Sequence, residues 1–283
     1  MIRLWRHIIR PIIEAGQGKR ILEIGAEYGT STKVLLNYVR EVDGHLHCID
    51  PVPGFDIEAF KKENEGVLSF YQDLSLNVLA DIHPVDVAMV DGDHNWYTVY
   101  NELKAIEAAH GHDPLAQPIL FCHDIGWPYG RRDLYYDPDT IPAEFVNDYA
   151  REGILPNQDE LVPGRGMNLE LCNARQLGGE RNGVLTGVED YVKESQLEFR
   201  FIQLPFYYGL GILVTKERLE GNAALAAELD RLDAELAGYD LIALAEHLRL
   251  VEGVVLQTIN RKLTASEERL AELEKELAAL KAT

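Results

Sequence analysis

A chain of 283 residues with 46% hydrophobic side chains has room for one large α/β domain with an appendage, or for two modest domains, and can bury a proper core. Its 27 Lys and Arg against 47 Asp and Glu leave a formal charge of -20, which repels phosphate backbones and anionic membrane surfaces and makes nucleic acid a poor partner. No stretch approaches the roughly 20 uncharged apolar residues of a membrane helix, and Cys48, Cys122 and Cys172, odd in number and without a CxxC, read as reduced core residues of a cytoplasmic protein.

Leu4, Trp5, Ile8, Ile9, Ile12 and Ile13 fall on a helix-period stripe. Arg3, Arg6, His7 and Arg10 interrupt that apolar run and no small-residue cleavage site follows, so Met1 to Ile13 predicts an amphipathic helix lying on a sheet, not a signal peptide. Residues 21–32, Ile-Leu-Glu-Ile-Gly-Ala-Glu-Tyr-Gly-Thr-Ser-Thr, then organise the chain as a strand ending in Glu23, a tight turn with Gly25 and Gly29, and a helix from about Thr30. Glycine admits positive φ and lets a ligand approach the backbone, while the helix start offers unpaired N–H groups. No lysine follows Gly29, which argues against a P-loop, and the GxGxxG spacing is absent.

The crossover helix leads through Asp43-Gly44 to a second strand, residues 45–49, which closes on Asp50-Pro51. An acid at that place, about 20 residues past a glycine turn, is positioned to accept from ribose hydroxyls. A short helix over 58–65 and a third strand over 67–71 come next, with Asp73 in the following loop. The apolar run 85–90 predicts a strand covered on both faces and ends in Asp91-Gly92-Asp93-His94. A helix over 96–110 and a fifth strand over 118–122, ending at His123-Asp124, complete the pattern. Strands alternating with helices predict a parallel sheet with ligands at the strand carboxyl ends. Every acid singled out lies at such an end, which points to one shared site.

Residues 126–183 are irregular and too long for an ordinary connection; their aromatic residues favour an ordered lid. A helix over 184–195 and strands over 197–204 and 208–215 suggest a closing antiparallel hairpin, dividing the chain into residues 1–216 and a helical region, 217–283. Leu225, Leu229, Leu232 and Leu236 share one helical face, and Leu256, Ile259, Leu263, Leu270, Leu273, Leu277 and Leu280 keep an a/d heptad register, with Ser266 as a polar d position. A coiled coil over about 256–283 that makes a homo-oligomer is expected; the alternative is a helix packed back on its own domain.

The Glu23-Ile24-Gly25 and Gly29-Thr30-Ser31 groups resemble motif I of the class I S-adenosylmethionine (SAM)-dependent methyltransferases, with Glu27 where many members carry a middle glycine. With the closing hairpin, the resemblance spans about residues 20–216. It implies a Rossmann-like, doubly wound, mostly parallel seven-stranded sheet with a terminal antiparallel hairpin, and SAM held by Glu23, Gly25, Gly29, Ser31, Asp50, Asp73 and Asp91. Plain surface acids at Asp50 and Asp73, and a helix-capping Thr30 or Ser31, are the competing explanations. Residues 90–97, Val-Asp-Gly-Asp-His-Asn-Trp-Tyr, with Phe-Cys-His-Asp on the fifth strand, resemble a metal-dependent subset that includes sugar O-methyltransferases of antibiotic pathways.

By that resemblance Asp91 and Asp124 would ligate a hard divalent ion such as Mg²⁺, binding two vicinal sugar hydroxyls. His94 would be the general base, with Asp93 as the rival base; a cap on the following helix is the bland role for either. In the loop after Asp124, Trp127, Tyr129, Tyr135 and Tyr136 would stack on a sugar and Arg131 and Arg132 hold an acceptor phosphate or carboxylate, unless the loop packs on itself and its arginines pair with local acids. His45 and His47 read as core or surface residues, and His123 stays open between a group beside Asp124 and a plain strand residue. The expected activity is metal-assisted O-methyl transfer to a glycan, sugar nucleotide or glycosylated metabolite. A metal-independent O- or N-methyltransferase and a non-catalytic nucleoside-binding coiled-coil scaffold are the alternatives.

Overall fold

The computed structural model describes residues 1–236 and 239–281. The amphipathic start is helical but not uniform: a 3-10 turn, Ile2–Leu4, and a π turn, Trp5–Ile9, run into α1, Arg10–Ala15. Pro11 explains the wide turn, because it has no N–H to return to the carbonyl of residue 7, and the Arg10 N–H instead reaches the Trp5 carbonyl.

The strands β1 (Arg20–Ile24), β2 (His45–Ile49), β3 (Leu68–Tyr71), β4 (Val87–Val90) and β5 (Ile119–His123) are parallel. Between them lie α2 (Thr30–Glu41), α3 (Ile57–Glu63), α4 (Ser75–Val78) and α5 (Trp96–Ala109). The residues after β5 fold as a small cap in which β6 (Leu134–Tyr135), β7 (Tyr149–Ala150) and β8 (Cys172–Ala174) form an antiparallel sheet in the order β6-β8-β7. The chain then returns through α6 (Val184–Glu194) to β9 (Phe199–Leu204) and β10 (Leu210–Thr215). The main sheet runs β3-β2-β1-β4-β5-β10-β9, with β10 antiparallel to both of its neighbours.

Side-chain alternation along these strands builds two cores, one on each face. Ile21, Met89 and Phe121 join the N-terminal helix and α2 on one face, and Leu22, Ala88 and Leu120 join α5 and α6 on the other. Glu23 points to the first face, beneath α2. The order of strands reverses between β1 and β4, so the crevice beyond their carboxyl ends is where this topology binds ligands.

After α7 (Lys216–Glu220), α8 (Ala223–Glu235) is capped by the Asn222 side chain, which accepts from the Leu225 N–H at 3.0 Å. Leu225, Leu229 and Leu232 are buried in the same core as Ile9 and Leu35, so the compact unit extends past residue 216, through α8. The last helix, α9 (Tyr239–Lys281), is anchored by its first half: Leu250 and Val254 are buried, and Arg261 Nη2 donates to the Gly166 carbonyl at 2.9 Å. Leu256, Ile259, Leu263, Leu270 and Leu273 stand exposed along it. The side chains of Leu277 and Leu280 lie outside the described residues. No described helix is long and apolar enough to cross a membrane.

Candidate active site

The β1–α2 turn is built to bring backbone against backbone. Gly25 has φ +93°, and a Cβ there would run into the Asp91 carbonyl oxygen at the end of β4; Gly29, at φ +72°, starts α2. Asp50, at the end of β2, holds the turn: its Oδ2 accepts from Ala26 N and Glu27 N at 2.8 Å each, and its Oδ1 from Val52 N at 2.8 Å. Glu23 is buried beneath the turn and accepts from Cys48 Sγ at 3.3 Å. Burial lifts its pKa to about 7 against the opposing bonds from Thr32 and Cys48. Ser31 lines a small cavity with Trp5 and Met89. Asp73 is exposed just ahead of α4, accepting from Leu74 N at 2.7 Å and Asn77 Nδ2 at 2.8 Å.

The ends of β4 and β5 bring Asp91, His94, His123 and Asp124 together. Among the described residues, Asp91, His123 and Asp124 form a cluster whose potential metal-ligating atoms all lie within 4.8 Å of one another. His123 Nδ1 is 3.0 Å from Asp91 Oδ1 and 2.8 Å from Asp124 Oδ2. His94 Nε2 approaches Asp124 Oδ2 at 3.1 Å and Asp91 Oδ1 at 3.8 Å, yet neither of its ring nitrogens makes an aligned hydrogen bond. The Met1 amino nitrogen adds a contact to Asp91 Oδ2 at 3.4 Å.

Burial pushes the Asp91 and Asp124 carboxyls up, but the imidazoles, His123 foremost, outweigh it and hold both well below the usual carboxylate range. Burial pushes His123 down, and the two carboxylates reverse this and raise its pKa to about 9. Asp124 itself sits at φ +59°, a left-handed conformation that Asp and Asn adopt more readily than other non-glycine residues.

The following residues separate in role. Asp93 turns into the start of α5, where its Oδ2 accepts from Asn95 Nδ2 at 2.6 Å and Thr98 Oγ1 at 3.2 Å, while Asn95 caps the helix by accepting from Thr98 N at 2.8 Å. His94 instead faces the carboxylates. Its ring stacks on Tyr129 with centroids 5.6 Å apart and planes 6° from parallel, and Tyr136, largely exposed, lies at 5.7 Å.

Residues 22–125 match the family model described as a methyltransferase domain, a span that runs from β1 to just past Asp124. Solved structures similar to the chain include the methyltransferase PaMTH1 of Podospora anserina with S-adenosylhomocysteine (SAH) bound, at 18% identity over 73% of this chain and 76% of that one, TM-score 0.46. Another is the 1,6-didemethyltoxoflavin-N1-methyltransferase of Burkholderia thailandensis, at 11% identity over 73% and 78%, TM-score 0.39. A third is MycE of the mycinamycin pathway, in complex with Mg, SAH and mycinamycin VI, at 18% identity over 43% and 32%, TM-score 0.33. No curated protein matches the chain.

Around this matched span the cap uses several of the expected acceptor residues for its own structure. Arg131 pairs with Glu189 and donates to Thr186 Oγ1 at 3.0 Å; Arg132, fully buried, donates to the carbonyls of Ala174, Arg175 and Asp159. Tyr135 is buried with its hydroxyl donating to Asp133 Oδ2 at 2.8 Å, and Trp127 packs half-buried against the α5-side core. Tyr129 and Tyr136 are the aromatic residues that reach His94.

Three features of the structure were not singled out from sequence. Asp133 is fully buried and joins the cap to α5, accepting from Trp96 N at 2.7 Å and Gly183 N at 2.6 Å. The β9–β10 turn places Tyr207, Tyr208 and Gly209 at φ +51°, +70° and +88°, with Tyr208 against His123 at 6.4 Å. From α9, Glu246 accepts from Tyr208 N at 3.2 Å while Arg249 grips Glu246 and covers both tyrosine rings. Long sequence separation hides each of these contacts.

The third feature is Glu102, fully buried on α5, which accepts from Ser75 Oγ at 2.5 Å while its Oε2 has no partner. Burial, opposed by the Ser75 bond and reinforced by Asp93, raises its pKa from 4.5 to about 8. The native state therefore holds this proton more tightly than the unfolded chain does. Its contribution to stability is fully present below the unfolded value of 4.5 and is lost as pH rises through about 8. Glu102→Gln is expected to match the wild type in urea unfolding near the low end of that window and to exceed it above the high end. Parallel pH dependences for the two proteins would show that Glu102 does not titrate in this way.

Proposed function

We propose that the protein transfers the methyl group of SAM to a hydroxyl oxygen of a glycan, a sugar nucleotide or a glycosylated metabolite, with a divalent cation at Asp91 and Asp124. The observation that carries this reading is the convergence of two carboxylates at adjacent strand ends beside the Gly25 turn, with the His94 imidazole facing them and no aligned hydrogen bond at its ring nitrogens. Two carboxylates are hard oxygen donors, and they fit such an ion. When bound, a divalent cation supplies positive charge that makes a neighbouring sugar hydroxyl more acidic.

The chain's own residues account for the other requirements. Glu23, Gly25, Gly29 and Ser31 receive the methionine end of SAM, where buried and half-buried acids favour its ammonium and sulfonium charges. Asp50 is the ribose acid: a carboxylate has about four lone-pair sites, and three are taken by backbone N–H groups, leaving one for a hydroxyl. Asp73, exposed at the next strand end, lies toward the adenine edge. His94 takes the hydroxyl proton, oriented by the Tyr129 ring; Asp93, committed to the start of α5, fixes the turn that carries that base into the helix. The acceptor oxygen forms its bond to the methyl carbon as the carbon–sulfur bond breaks, leaving the electron pair on sulfur and SAH as product. Tyr136 and Trp127 border the place where a sugar face would rest.

Calorimetric titration with SAM, in EDTA and then with metal restored, tests the cofactor half of this reading. Micromolar binding is expected; absence of binding under every condition would remove it. The exposed leucine and isoleucine positions of α9 support assembly into a homo-oligomer through a coiled coil. Deleting residues 256–283 is then expected to lower the mass seen by light scattering, and an unchanged mass would rule that assembly out.

A further inference from the structure

We infer that His123 is a nitrogen ligand of the cation, and that the site consequently takes a first-row transition ion of the Mn²⁺ to Co²⁺ range in preference to Mg²⁺. This rests on the metal-assisted reading above and specifies which ion that reading requires. Two carboxylates alone would suit Mg²⁺. The third group in the cluster is an imidazole, and its Nδ1 lies between the carboxylates, not beyond them.

The spacing is what shared coordination requires. Ligands at right angles on an ion with bonds of about 2.1 Å are about 3.0 Å apart. His123 Nδ1 lies 3.0 Å from Asp91 Oδ1 and 2.8 Å from Asp124 Oδ2. The backbone supports the same arrangement. His123 ends β5 in register with Leu210 of β10, so its ring is set by a central part of the sheet. Asp124 is held at φ +59°, and the adjoining Gly126 N–H donates to the Tyr208 carbonyl at 2.6 Å, within the turn clamped from α9. These constraints hold the imidazole and the second carboxylate together.

Chemistry then discriminates between ions. Mg²⁺ dehydrates reluctantly and prefers oxygen, whereas imidazole suits ions further along the first transition row. The mixed set of two oxygens and one nitrogen thus selects against Mg²⁺ without requiring the thiolates that a structural zinc site uses.

Electron spin-echo envelope modulation of Mn²⁺ bound to the full-length protein reads a directly coordinated nitrogen without reference to activity. The wild type is expected to show ¹⁴N coupling, and His123→Asp to lose it while retaining Mn²⁺. In competition calorimetry the ratio of Co²⁺ to Mg²⁺ affinity is expected to fall by about tenfold or more in His123→Asp. A wild-type Mn²⁺ spectrum without ¹⁴N coupling, or no bound ion at all, overturns the inference even where the variant does not fold. Coupling that persists in a folded His123→Asp variant overturns it as well, because the nitrogen would then come from elsewhere. A protein that shows the coupling but binds no SAM would sustain the metal assignment and defeat the methyl-transfer reading, so the two fail separately.

Discussion

Asp124→Asn is expected to lower methyl transfer by about 10³-fold while leaving SAM affinity nearly unchanged. The substitution keeps the side-chain shape and, unlike alanine, suits the left-handed backbone at φ +59°. It removes the negative charge that His94 and His123 both face, at 3.1 Å and 2.8 Å. The proposed cation and the proposed base would be displaced together. The glycine turn and Asp50, the proposed SAM side, depend on contacts among β1, β2 and β4 and do not involve Asp124. Transfer of a labelled methyl group to an acceptor found by screening hydroxylated glycosides, run beside calorimetry with SAM, separates the two effects. Full activity in the variant would sink the role given to Asp124. Loss of SAM binding in step with activity would mean that the β5 end supports the cofactor instead.

How far the sequence reveals such a site depends on whether its parts are local. The five parallel strands were legible because apolar runs such as 85–90 and 118–122 end in acids, and the structure places those strand ends on one edge. The glycine turn was legible because Gly25 and Gly29 bracket a change from strand to helix within a few residues. By contrast, Arg131 and Arg132 looked available for an acceptor because sequence cannot show Glu189 or the cap carbonyls that occupy them. The open question over His123 had the same origin: the residue pair His123-Asp124 is visible, but the approach of Asp91 from the neighbouring strand fixes what the imidazole contacts.

The C-terminal region illustrates a different limit. Leu225, Leu229 and Leu232 make an amphipathic stripe that periodicity detects equally well whether the partner is another chain or the same domain. Their burial beside Ile9 and Leu35 assigns that stripe to the domain's own core, whereas Leu256 to Leu273 farther along remain exposed. Glu246 and Arg249 lie between these regions and clamp the tyrosine turn next to His123. The same helix that carries the proposed assembly surface therefore also braces one wall of the site, and changes at its first half would be felt at the strand ends.

Asp133→Ala is expected to cost roughly 2–6 kcal/mol, because it strands two buried backbone donors, Trp96 N and Gly183 N, at about 1–3 kcal/mol each. Tyr135 Oη–H and Asn147 Nδ2 lose the other carboxylate oxygen, though Asn147 is partly exposed and can turn to water. Asp133 is an isolated acid in a stretch without periodicity, so nothing in the local sequence distinguishes it from a surface residue. Its position makes it the junction of three segments: the start of α5, the strand β6 and the approach to α6. Asp133→Asn retains an oxygen for the two backbone donors and is expected to lose much less stability. Urea unfolding with an unchanged slope would show the alanine variant shifted to a lower midpoint, and limited proteolysis would place early cleavage within residues 126–183. A midpoint shift equivalent to less than about 0.5 kcal/mol, the scale of an ordinary surface substitution, would show that the cap stays docked without this carboxylate, and the burden would then fall on Arg132 and its three carbonyl partners.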